Sequence, residues 1–161
     1  MTLLKRMTSI AAFIESTYGT DPSGSPSDNY FYCYDLDFAP SMEVLRRNIY
    51  RSSLGQVAPR AGAKSATLTF TSELMGAGDS SNPDTPPPIS KLLRMCGFKE
   101  TISSGRCVVY EPKDPTSSDM LESGTIYIYQ DGLRHIMLGC RGTFSLTCEA
   151  GAIANFSFTI D

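Results

Sequence analysis

Three stretches of this chain alternate apolar and small polar side chains with a period of two, and that pattern commits it to β-sheet. In Ala66–Leu74, Leu68, Phe70 and Leu74 fall on one side, with Thr67, Thr69, Thr71 and Glu73 on the other. In Gly142–Cys148, Phe144, Leu146 and Cys148 oppose Thr143, Ser145 and Thr147. Ile153–Ile160 puts Phe156, Phe158 and Ile160 on a single face. A strand with one apolar face must bury it against a second layer. The predicted core is therefore Leu68, Phe70, Phe144, Leu146, Phe156 and Phe158.

The remaining segments fit around that core. Thr125–Tyr129 runs into Gln130-Asp131-Gly132 and returns through Leu133–Leu138, a hairpin signal. Arg106–Glu111 reads as a strand closed by Pro112, and the aromatic run Tyr30–Phe38 as another. One short helix is expected over Ile89–Phe98, following Pro86–Pro88; Ile89, Leu92, Leu93 and Cys96 share a face, and Gly97 suits the position after the last turn. Met1–Tyr18 spaces Leu3, Leu4, Met7, Ala11 and Ile14 as either a short amphipathic helix or an apolar arm. The stretches 19–28 and 76–88 are loops rich in turn formers. Residues 39–65 show no clean period and are expected as a long extended loop, a feature that usually has a task in a compact domain. The expectation is one mainly β domain over residues 1–161: a sandwich or barrel of about seven strands with one short packed helix, an N-terminal arm and loop over 1–28, and a long basic loop over 39–65.

Chemistry is thinly represented. His135 is the sole histidine, and a thiol mechanism would have to pair it with Cys140 or Cys148, with no third group evident to orient it. The five cysteines lie singly, without the spacing of a zinc site, and read as reduced thiols packed as small hydrophobes. Asp35 and Asp37 lie two apart in a strand and read as a polar rim rather than as a glycosidase pair. Gly76-Ala77-Gly78 lacks the strand-to-helix context of a phosphate loop. The expectation is no catalytic residue, no metal and no cofactor. No apolar run approaches the ~20 residues that cross a bilayer, so membrane insertion is not expected, nor is an export signal.

Charge is uneven. Between Asp37 and Ser65, five basic side chains (Arg46, Arg47, Arg51, Arg60 and Lys64) face two acidic ones (Asp37 and Glu43), a net +3. The whole chain carries −3, so the remainder carries −6. A basic excursion on an acidic body suits contact with a neighbouring acidic subunit, and the five cations are the candidate intersubunit residues. Thr67, Thr69, Thr71, Glu73, Thr143, Ser145 and Thr147 give wet sheet faces with little charge, which suit the lining of a water-filled lumen.

Several stretches, taken in order, resemble the tail tube proteins of long-tailed bacteriophages. Glu15 to Pro22 (Glu-Ser-Thr-Tyr-Gly-Thr-Asp-Pro) resembles that family's N-terminal signature, and Pro87 to Phe98 its single helix. Thr125 to His135 and Leu138 to Thr143 resemble its C-terminal hairpins. The resemblance implies a β-sandwich that joins copies of itself into hexameric rings. The rings stack into a hollow tube through which DNA leaves the capsid without specific binding. It further implies a virion-tail location, assembly in the bacterial host cytoplasm, and partners such as tape measure, terminator and tip proteins. Contractile tail tubes and type VI secretion tubes share the architecture. Cys33, Cys107, Cys140 and Cys148 depart from the family pattern. A competing reading is a small sugar- or protein-binding decoration module, with Tyr30, Tyr32 and Tyr34 as an aromatic platform on one strand face. Another is a small cysteine-dependent enzyme.

Overall fold

A computed structural model describes residues 8–25, 30–47, 49–50, 57–79, 81–114 and 121–161. Ten strands and one helix are assigned among them: β1 (Thr8–Ile14), β2 (Tyr30–Phe31), β3 (Tyr34–Leu45), β4 (Arg60–Glu73), α1 (Ser90–Met95), β5 (Phe98–Ser103), β6 (Cys107–Pro112), β7 (Gly124–Gln130), β8 (Leu133–Cys140), β9 (Gly142–Thr147) and β10 (Asn155–Ile160). The strands form a four-stranded sheet A in the order β2-β1-β7-β8, a four-stranded sheet B in the order β3-β4-β10-β9, and the β5–β6 hairpin. The count exceeds the seven expected, but the mainly β class with one short helix holds.

Sheets A and B share one core. Ile10, Ala12, Ile126, Ile128 and Met137 from sheet A meet Leu68, Phe70, Phe156, Phe158 and Ile160 from sheet B. The Phe70 and Phe158 rings stack with centroids 5.2 Å apart. Helix α1 closes the core with Leu92, Leu93 and Met95, preceded by Ile89. Arg94 forks onto Glu122 (Nε to Oε2 2.7 Å, Nη2 to Oε1 3.0 Å), while Glu100 on β5 accepts from Ser90 and from Tyr110 at 2.8 Å. The Ser90–Glu100 bond fastens the β5–β6 hairpin to the helix, and the Arg94–Glu122 fork ties the helix to the segment before β7.

Several expectations are corrected. The described part of the first segment is a strand, not a helix, and residues 1–7 lie outside the described set. β1 buries Ile10 and Ala12 inward and Ala11 and Phe13 outward, so a strand apolar on both faces loses its period-two signature. The extended stretch 39–65 is largely a long hairpin. β3 and β4 pair antiparallel out to Leu45 opposite Arg60, with register shifts between Tyr34 and Asp37 and between Met42 and Val44. Bulges of this kind break alternation, which is why the stretch reads as periodless. β5 is also new; its Lys99-Glu100-Thr101 is too polar to suggest a strand. Leu146 is 49% exposed and Cys148 is exposed, because β9 is the edge of sheet B; Phe144 is only partly buried, packed against Phe98 at 5.3 Å. Leu74 lies just past β4 and is exposed.

Candidate functional site

Two surfaces stand out. The first is the outer face of sheet B. β10 lies between β4 and β9 and brings their hydroxyl faces together. In register, Thr69 pairs with Thr159 and Thr159 with Thr143; Thr71 pairs with Ser157 and Ser157 with Ser145; Glu73 pairs with Asn155 and Asn155 with Thr147. Residues directly opposite in a ladder point to the same face. The result is a three-by-three patch in which Glu73 is the single ionisable side chain. Thr67 extends it and donates to Asp161 Oδ1 at 2.7 Å. The sequence reading names the β4 and β9 rows as separate faces. It misses the β10 row, Asn155, Ser157 and Thr159, although that row alternates with Phe156 and Phe158 and was legible from them.

The second surface is the distal half of the β3–β4 hairpin. There Arg60 opposes Leu45, Lys64 opposes Met42, and Arg46 and Arg47 follow β3 directly. All four cations are exposed, as are Met42, Val44 and Leu45. Arg51 lies outside the described residues. At the hairpin's base, a groove of about 860 Å³ runs between Phe38, Pro40 and Met42 on one side and Ile136 and Leu138 of β8 on the other. β3 and β8 are the edge strands of their sheets, so both groove walls are sheet edges.

The alternatives lose ground on geometry. The chain leaves the ladder after β2, so the three tyrosines do not share one strand face. Tyr30 packs edge-on against Tyr129 and Tyr34 donates to Asn155, while Tyr32 is exposed. Asp35 sits in the β3 bulge with φ +54, which breaks its expected alignment with Asp37. The His135 ring packs 5.0 Å from that of Phe38. Cys140, on the same strand, is fully buried, and burial pushes its thiol up to about 12, the opposite of an activated nucleophile. Burial likewise raises Cys33 and Cys96 to about 11. All five thiols are free.

Sequence reasoning names Glu15 only as the first residue of the Glu15–Pro22 stretch, yet it is a structural hub. It is 8% exposed, and each carboxylate oxygen accepts two hydrogen bonds. Oε1 accepts from Thr125 Oγ1 at 2.7 Å and from the Gly139 N–H at 2.8 Å. Oε2 accepts from Ser123 Oγ at 2.7 Å and from the Gly19 N–H at 2.8 Å. Burial alone would raise its pKa, but the four donors together outweigh burial and lower it. An isolated Glu gives no sequence signal for this role beyond its place in the Glu15–Pro22 stretch.

A protein-family model described as phage tail tube protein matches residues 6–161. No curated protein matches the chain by direct sequence comparison.

Proposed function

The chain belongs to the phage tail tube protein family, and we propose that it polymerises as stacked hexameric rings into the conduit through which DNA is ejected. The observation that carries this reading is the β3–β4 hairpin. Its distal half is exposed on both faces while holding both apolar side chains and a cluster of cations. An isolated subunit gains nothing by holding a ladder clear of its core, since a lone two-stranded ribbon is marginal in water. Packed on the acidic body of another copy, within a ring or in the next one, the hairpin gains apolar burial and charge pairing together. Arg46, Arg47, Arg51, Arg60 and Lys64 are the proposed contact cations.

The hydroxyl face of sheet B is the proposed lumen lining: Thr67, Thr69, Thr71, Glu73, Thr143, Ser145 and Thr147, joined by Asn155, Ser157 and Thr159. It offers a sliding DNA duplex water-bound hydroxyls and no cation to hold a phosphate. The partners are then other copies of this chain, with tape measure, terminator and tip proteins at the tube's interior and ends, and assembly takes place in the host cytoplasm. Electron microscopy of the purified protein tests the reading. Rings or long hollow filaments are the expected result, and a persistent monomer across assembly conditions would refute it. Among the described residues no helix is long and apolar enough to cross a membrane.

A further inference from the structure

The outer face of sheet A carries a small apolar cluster, Ala11 with the aromatic Phe13 and Tyr127, that is buried although it lies outside the sandwich core. What covers it is the segment 15–25. The Tyr127 hydroxyl donates to Asp21, and Gly24 lies so close to the Phe13 ring that a Cβ there would clash. At the other end of the segment, the Tyr18 ring rests on Gly139 of β8, where an added Cβ would come within 3.0 Å of it, and the Arg141 guanidinium caps the ring at 5.4 Å. Gly139 takes φ +70, a conformation that aims its N–H at Glu15 and leaves room for Tyr18. One buried carboxylate thus ties the segment's start to β7, β8 and the residue before β7.

We propose that residues 15–25 form a strap that opens and closes as a unit, and that the ionised Glu15 carboxylate keeps it shut over the Phe13–Tyr127 patch. Closed, the strap hides an aromatic surface that would otherwise associate without specificity, and it seats Tyr18 beside the groove at the β8 edge. Opened, it uncovers the patch and withdraws Tyr18 from that edge. The charged and titratable groups around the strap are Arg141 on Tyr18, Lys91 over Phe13, Asp21 and Arg134 at Tyr127, and Cys140 beside Glu15. Glu15 is the only one of them that binds four separate points of the chain. Its own titration is moved downward, so the strap is shut at neutral pH and opens only in acid.

The test is hydrogen exchange with mass spectrometry on the full chain, corrected for intrinsic chemical rates, comparing wild type with Glu15→Gln at pH 7. The Thr20 amide bonds the Thr17 carbonyl and the Ser23 amide bonds Asp21, so neither touches Glu15. Both should exchange roughly tenfold faster in Glu15→Gln, the effect of weakening a charged, buried hydrogen-bond acceptor. Hydroxyl-radical footprinting should report new labelling of Phe13 and Tyr127, while β4 and β10 stay protected. Acceleration confined to Gly19 and Gly139, or none at all, overturns the proposal. Should Glu15→Gln fail to fold, an acid titration of wild type decides: the strap must lose protection at a higher pH than β4 and β10, and simultaneous loss would overturn it.

Discussion

Single residues in this protein are set by which side of a sheet they face and by what covers that side. Phe158 is 1% exposed between Phe70, Phe144 and Phe156, so Phe158→Ala should cost roughly 3–5 kcal/mol in a urea denaturation. Leu146 shares its sheet face but lies at an uncovered edge, so Leu146→Ala should cost under ~1 kcal/mol in the free subunit. Equal losses for the two would show that the β9 edge is covered in the subunit. Charge is context-dependent in the same way. The hydrogen bonds from Arg94 outweigh the burial of Glu122 and hold its carboxyl below the usual range. A depressed carboxylate pKa adds stability above the unfolded-state value, near pH 4.5, and that stability is lost as pH falls through the native value. Glu122→Gln should therefore be less stable than wild type at pH 7, and the gap should close in acid. A gap independent of pH from 7 to 3 would place the effect in packing instead of ionisation.

At the scale of elements, period two was legible wherever one face was buried and the other wet. β4 and β10 satisfy that condition, β9 keeps the alternation although its apolar face is only partly covered at the sheet edge, and the β7–β8 hairpin was legible from its turn, where Asp131 and Gly132 take φ +47 and +82 as a tight primed turn requires. The pattern failed where physics removed the contrast. β1 is buried on both faces, the outer one by the strap, and β5 is too polar to mark itself. The outer half of β3–β4 is exposed on both faces and bulged, so no buried face imposes a period on it. The same condition that hid the hairpin from the sequence is what the proposed contact role rests on. Its cations were legible as charge bias, whereas the placement of Arg60 and Lys64 on an exposed ladder needed the register. Arg46→Glu with Arg47→Glu should leave circular dichroism unchanged and block filament growth seen by electron microscopy. Normal polymerisation of that double variant would remove the charge argument, even with the tube reading intact.

For the whole molecule, the proposed tube raises the question of which face would line its bore. Duplex DNA carries one negative charge per ~1.7 Å of axis, so a basic lumen would hold it and an uncharged or acidic one would let it slide. The basic excess is confined to residues 37–65, and the remaining chain carries −6. The hydroxyl face of sheet B has the complementary property: three adjoining strands with one carboxylate and no cation across nine register positions. A solvent face on an ordinary monomer would be expected to mix both signs of charge, so this depletion favours a lining role. Position 145 gives the sharpest test, since Ser145 is exposed at the middle of the patch's β9 row. Ser145→Cys is placed in a background carrying Cys107→Ser and Cys148→Ser, because those two native thiols are exposed. In free subunits it should react with both a small maleimide and a polymer-linked one. In assembled tubes it should keep its reactivity toward the small reagent and lose it toward the large one, as a residue inside a narrow water-filled bore must. Labelling by the large reagent at the free-subunit rate would put this face on the outside of the tube. Protection from both reagents would put it in a subunit contact, and either outcome moves the lumen to another surface.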